Sequence, residues 1–279
     1  MSNSKDCAYP LSATTIAAAA ARAEVEMPPA VAYEAVASTN DEASKRALAG
    51  APIWTVVTAE QQSAGRGRLD RSWESRAGDG LLFSVVLRPP RDLPGSAYGW
   101  LPLMAGVAIA RAVATTGIDT ALKWPNDLIV SGDAYDGSPG PRKLAGILAE
   151  RVDDVVIIGV GLNVCAPQLD LPIPAATSLR IEAGTAEGLD RTKLLVSCLA
   201  HWQVLWGDFI AAGGDANSSG LAQGYRQLCA TIGQRVAADV AGAVPVVGIA
   251  SDIDQQGHLI IDTDLTRTAV AAADIRHLR

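Results

Sequence analysis

"KLAGILAERVDDVVIIGVGLNV", residues 143–164, is the stretch on which the fold turns. Two strand-like runs, 143–152 and 154–164, meet at Asp153-Asp154 with almost no connecting chain. A junction this short makes the two strands an antiparallel hairpin, because a parallel partner needs a long crossover. The sheet is therefore expected to be mixed or antiparallel, not doubly wound and parallel.

Working outward, "IWTVVTAE" (53–60) and "GLLFSVVLRPP" (80–90) read as strands, the second stopped by Pro89 and Pro90. "ALKWPNDLIV" (121–130) reads as one more strand-like run. "ASTNDEASKRALAG" (37–50) opens with capping residues and closes on Gly50, the pattern of a short helix. Apolar residues at helical spacing predict longer helices within 98–117 and 190–214. "SGDAYDGSPGPR" (131–142) is rich in Gly, Pro and Asp and predicts a mobile loop. From about Thr231 the chain turns to short alternating runs with polar turns, which predict a small β-barrel. The expected class is α+β, a mixed or antiparallel sheet with helices followed by a small all-β tail. The expected divisions are a poorly structured Ala-rich leader (1–30), a body (31–228) and the tail (229–279).

The chain of 279 residues is 49% hydrophobic, enough for a large core. A net charge of −7 disfavours a general nucleic-acid coat, which wants a basic face. The leader lacks the basic-then-apolar order of a secretory signal, and no apolar run is expected to reach the ~20 residues of a membrane span. A cytoplasmic protein is expected. Cys7, Cys165, Cys198 and Cys229 form no C-x-x-C pair, so they read as idle thiols in a reducing compartment.

On this acidic chain "AGRGRLDRSW" (64–73) is an anomaly: Arg66, Arg68 and Arg71 sit among two glycines and end on Trp73. Guanidinium forks on a glycine-bearing loop suit a carboxylate or phosphate. The string is neither a P-loop nor a dinucleotide fingerprint. "KWPND" (123–127) adds Lys123 for phosphate and Asp127, which could hold Mg²⁺ through one carboxylate and waters. Lys143 and Asn163 add a cation and a neutral donor–acceptor. There is no G-x-S-x-G elbow and no H-E-x-x-H, and the three histidines lie in the last third of the chain. Transfer chemistry on phosphates fits better than hydrolysis.

Taken together, "STN" (38–40), "EQQSAGRGRLDRSW" (60–73), "KWPNDL" (123–128), "KLAGIL" (143–148) and "GVGLNV" (159–164) resemble, in order, the motif series of biotin protein ligases. The resemblance implies a class II synthetase-like catalytic domain and an SH3-like C-terminal domain. It implies formation of biotinyl-5′-AMP from biotin and MgATP, then transfer of biotin to a lysine of a biotin carboxyl carrier domain. It further implies that Ser38, Thr39, Asn40, Gln62, Arg66, Gly67, Arg68, Lys143 and Gly146 bind biotin. Arg68, Arg71, Trp73, Lys123, Asn126, Asp127, Lys143 and Asn163 would serve ATP, with Asp127 the Mg²⁺ ligand. Lys143, Arg66 and Arg68 would be catalytic, and Asp70 would pair with a neighbouring arginine in the free enzyme. Some members carry an N-terminal DNA-binding domain; about 30 residues ahead of the first motif are too few for one, so no DNA partner is expected. The rival reading is a lipoate–protein ligase, which shares the fold and the adenylation chemistry. Monomer and homodimer both remain open.

Overall fold

The computed structural model describes residues 7, 9–69, 71–240 and 244–278. In chain order it contains α1 (Ala13–Arg22), β1 (Val31–Val36), α2 (Thr39–Leu48), β2 (Val56–Gln62), β3 (Gly80–Leu87), α3 (Trp100–Ala114), β4 (Ala121–Lys123) and β5 (Asp127–Val130). β6 (Arg142–Val152), β7 (Val155–Asn163), α4 (Leu179–Ala183), α5 (Arg191–Ala211) and α6 (Leu221–Leu228) follow, and β8 (Arg235–Asp239), β9 (Val246–Ile253), β10 (Leu259–Asp262), β11 (Arg267–Val270) and β12 (Asp274–Leu278) end it.

Seven strands form one sheet in the order β1-β2-β3-β7-β6-β5-β4. Only β1 and β2 run parallel; the hairpin at Asp153-Asp154 sets β6 and β7 antiparallel, as its length required. β3 is buried along its whole length because both faces of the sheet are covered. On one face α2 places Ala43 and Ala47 against Val57, Val86, Val155 and Ile157. On the other, α3 and α5 pack over the large core that includes Phe83, Trp100, Ile158 and Trp202.

The stretch 121–130 is two strands, not one. Trp124-Pro125-Asn126 turns the chain back between β4 and β5, because proline cannot donate to a ladder. Trp124 anchors that turn to the tail: its indole N–H donates to Gly257 O at 3.0 Å and its backbone N–H to Thr231 Oγ1 at 3.0 Å. The tail is a five-stranded antiparallel sheet ordered β11-β10-β9-β8-β12.

Two expectations for the N-terminal region are overturned. The alanine run is the helix α1, closed by a capping box between Ser12 and Thr15, with Ile16 and Ala20 buried and its body against α5. Alanine's high intrinsic helix propensity, rescued by tertiary packing, accounts for it. Nor are all four cysteines thiols: Cys7 and Cys165 form a disulfide across a sequence separation of 158. Spacing could not show a juxtaposition that depends on α1 docking. Cys198 and Cys229 are buried, and burial pushes the Cys198 thiol up to about 12. Two helical stretches, Gly95–Ala114 and Arg191–Ala211, do reach membrane-spanning length and apolarity, contrary to the expectation; the first is mostly buried inside the protein and the second half buried.

The N-terminal segment is held by one buried ion pair. Arg191, at the start of α5, donates to Glu60 Oε2 at 2.8 Å, to Gly80 O at 3.0 Å and to Tyr9 O at 2.9 Å, while Leu11 N donates to Glu60 Oε1 at 2.7 Å. Removing one partner leaves the other charge buried and uncompensated. Arg191→Met is expected to cost about 3–5 kcal/mol in chemical denaturation, as for other broken buried pairs; a loss near zero would show that the pair is not structural.

Candidate active site

The β6–β7 register builds the floor of the site. Gly146 lies opposite Gly161, and Leu148 opposite Gly159. Residues two apart share a face, so hydrogens stand where side chains would rise. Two groups use the space: the Trp73 indole lies against Gly161 and Gly146, and the Asn40 amide against Gly159, where added Cβ atoms would collide with them. Above the floor opens a cavity of about 780 Å³. Ser38, Thr39, Asn40, Gln62, Arg66, Gly67, Arg68, Arg71, Trp73, Lys123, Asn126, Asp127, Lys143, Gly146 and Asn163 all line it, so every candidate residue named from the sequence converges on one place.

At one end the start of α2 supplies a neutral polar wall. Thr39 donates through its backbone N–H (2.7 Å) and its hydroxyl (3.0 Å) to Gln62 Oε1. Buried Ser84 donates to Thr39 Oγ1 at 2.8 Å and to Asn40 Oδ1 at 2.6 Å in alternative arrangements of its single proton. Asn40 Nδ2 donates to Glu150 Oε2 at 2.5 Å. Ser38 occupies the N-cap position of α2 without capping through its side chain, and it lines the cavity.

The arginine loop folds as a small hairpin over the cavity. Gly67 N donates to Arg71 O at 2.6 Å, Trp73 N to Gly65 O at 2.9 Å, and Arg66 and Ser72 form a β-bridge. A Cβ on Gly65 would drive into the Trp73 carbonyl, so the closing of this hairpin requires glycine there. Arg66 pairs with Asp41 at 2.7 Å and with Glu150 at 2.9 Å, and Asp41 first, then Glu150, hold its guanidinium above the ordinary range. Arg71 meets Asp274 of β12 at 3.1 Å, which brings the tail into the site. The expected partner of an arginine, Asp70, lies outside the described residues. Arg68 reaches Asn126 Oδ1 at 3.3 Å; burial pushes its guanidinium down, against the opposing charge of Asp127.

The far end carries the remaining cations. Lys143 Nζ lies 2.7 Å from Asp127 Oδ1 and 5.7 Å from the centre of the Trp73 ring. The charge contact to Asp127 lacks the directionality of a hydrogen bond, so that oxygen retains unspent acceptor capacity. Burial pushes the Lys123 ammonium down, opposed by Asp127 and Asp274. Asn126 Nδ2 donates to Ile147 O at 3.0 Å and Asn163 Nδ2 to Thr177 O at 2.9 Å, which fixes both amides. The loop 131–142 is tied down rather than loose. Arg142 pairs with Glu182 at 3.0 Å, and Tyr135 N donates to Pro174 O at 3.1 Å. Lys143 is then fixed by the exchange of Lys143 N to Ala175 O (2.6 Å) and Thr177 N to Lys143 O (2.8 Å).

Five cationic side chains (Arg66, Arg68, Arg71, Lys123, Lys143) thus line a cavity that also holds the carboxylates Glu74, Asp127 and Asp274. Buried positive charge of this kind is relieved by an anion. Sequence reasoning missed Gly159, Gly161, Glu150, Asp41 and Asp274. Gly159 and Gly161 had a signal, since they alternate in "GVG" and Gly161 faces Gly146 across the hairpin. Glu150 stands on the Gly146 face by the same period of two, and Asp274 had none.

Residues 33–163 match the model of the biotin/lipoate A/B protein ligase family. The chain is 40% identical over 247 residues to a biotin–[acetyl-CoA-carboxylase] ligase of Mycobacterium tuberculosis, covering 87% of this chain and 86% of that one. It is 32% identical over 252 residues to a bifunctional ligase/repressor of Bacillus subtilis, covering 87% and 72%. Its fold superposes on the biotin protein ligase of Aquifex aeolicus solved with biotin and ATP, with a TM-score of 0.72, 24% identity and coverage of 89% and 99%. Forty per cent identity over most of both chains, on a fold of the same kind, places the chain in the biotin protein ligase family.

Proposed function

We propose that the chain is an ATP-dependent biotin–protein ligase, which activates biotin as biotinyl-5′-AMP and transfers it to a lysine of a biotin carboxyl carrier domain. The observation that carries this reading is the division of one cavity into a neutral hydrogen-bonding end and a desolvated cationic end. Biotin has a neutral ureido ring and a terminal carboxylate, and the two ends match that polarity. Ser38, Thr39, Asn40 and Gln62 take the ring. Arg68 and Lys143 take the carboxylate, with the Gly146 floor beneath.

In the first step a carboxylate oxygen attacks the α-phosphorus of ATP and the bond to pyrophosphate breaks. Two anions must approach, so the site has to neutralise them in advance. Lys143, at the cationic end beside the Gly146 floor, bridges carboxylate and α-phosphate. Arg68, Arg71 and Lys123 take the phosphates, while Trp73 and Asn163 meet the adenine. Mg²⁺ comes with the triphosphate. Asp127, beside Asn126, would hold it through one carboxylate, which fits an ion that keeps waters and phosphates as ligands. Among the described residues no cluster of three or more His, Cys, Asp or Glu could hold a metal alone. In the second step the carrier's lysine amine attacks the acyl carbon and AMP leaves. Catalysis belongs to residues 31–228, and 229–279 form an SH3-like domain that supplies Asp274. Consumption of ATP suits a reaction in the cytoplasm.

Mass spectrometry of a carrier domain incubated with the protein, biotin and MgATP tests the whole reading. One lysine should gain a biotinyl group, and lipoate should not substitute; an unmodified carrier would sink it. Lys143→Ala should lower biotin-dependent ATP–pyrophosphate exchange by about 10²–10³, the scale of losing one preorganised charge-stabilising donor, while biotin binding changes far less. Unchanged exchange would remove Lys143 from the chemistry.

A further inference from the structure

The arginine loop carries three guanidinium groups, and the structure treats them differently. Arg68 lies half-buried over the cavity beside Asn126, without a carboxylate in salt-bridge contact among the described residues. Arg66 is turned to the opposite side. Its Nη1 donates to Asp41 Oδ1 at 2.7 Å and its Nη2 to both oxygens of Glu150, at 2.9 and 3.0 Å. A guanidinium with two carboxylates already bound has little left for a third anion. Glu150 is engaged from the other side as well, by Asn40 Nδ2 at 2.5 Å, and Asn40 Oδ1 accepts from Ser84. Asp41 is the next residue after Asn40 in the first turn of α2.

Resting on the biotin-ligase reading, we propose that Asp41 and Glu150 are positioning residues that clasp Arg66 and thereby hold the arginine loop closed over the neutral end of the cavity. Arg66 acts as the latch of the loop, and Arg68 is the guanidinium that meets the reacting anions. The position of Glu150 on β6 explains the arrangement. It lies four residues beyond Gly146 on the same face of the sheet, so the strand that provides the floor also provides the catch for the lid. Because Glu150 holds both Arg66 and Asn40, the order of the loop and the orientation of an amide in the neutral wall are joined by one carboxylate.

The side chains of the clasp are partly exposed, 42% for Arg66, 41% for Asp41 and 33% for Glu150. Such pairs are individually weak and screened by salt, which suits a catch that opens in every turnover.

The test is the isosteric double substitution Asp41→Asn with Glu150→Gln, in which the amide introduced on β6 still offers an oxygen to Asn40. Limited trypsin digestion of the ligand-free protein should cut the loop about fivefold faster in this variant, the scale of two exposed ion pairs. Raising the salt should speed cutting of the native protein and not of the variant. Biotin and biotinyl-AMP should dissociate faster by a similar factor, and adding Arg66→Met to the pair should bring little further loss, since the latch is already undone. Equal trypsin rates would overturn the clasp, and so would a full cost of Arg66→Met in the background of the double variant. A native protein that binds no biotin, yet shows the expected trypsin difference, would overturn the functional reading and leave the clasp standing.

Discussion

The site depends on the pairing of β6 with β7, and above all on the absence of side chains at Gly146, Gly161 and Gly159. Slipping either strand by one residue would turn Ile147, Val160 and Leu162 up into the cavity and the glycines down into the core. Trp73 could then not lie on the sheet, and Asn40 could not approach it. The short junction at Asp153-Asp154 fixes that register. Asp153 takes a left-handed backbone, φ 53°, a conformation that aspartate tolerates better than most residues. A local turn in the chain thus determines where an aromatic platform rests at a distance.

Electrostatics complete what the register begins. Arg66 pairs with Asp41 and Glu150, Arg71 with Asp274, and Lys143 with Asp127. Arg68 and Lys123 are desolvated instead, and burial pushes both down. The carboxylates keep the cations oriented without filling the space between them, so little reorganisation remains when the substrate's anions arrive. Repulsion among the positive groups is contained in the same way.

Much of this was legible in the sequence because its determinants are local. The hairpin followed from the length of one junction, and the cationic cavity from three arginines in a six-residue span of an acidic chain. What escaped is what distant segments decide together. Ala17–Ala21 looked featureless because its partners lie on α5, and Cys7 looked idle because Cys165 is 158 residues away. The strand predicted over 121–130 failed at Pro125, where the loss of one donor weighs more than the β-propensity of the flanks. Asp274 belongs to a tail whose local sequence carries no mark of the site.

That last residue shows why the tail is more than an appendage. Trp124 sits between Lys123 and the Pro125 turn, and its indole and backbone N–H groups are both held by the tail, at Gly257 and Thr231. β12 sets Asp274 against Arg71, and the half-buried His277 lies beside Lys123, which holds its imidazole, already lowered by burial, further down. At Lys123 itself the carboxylates of Asp127 and Asp274 oppose its desolvation, while the neighbouring cations Lys143 and Arg71 add to it. The cationic end of the cavity is therefore built by both sheets, whereas the polar end, from Ser38 to Glu150, is built by the seven-stranded sheet and α2. Movement of the tail against the larger sheet would disturb the cationic end first and leave the polar wall around Asn40 in place.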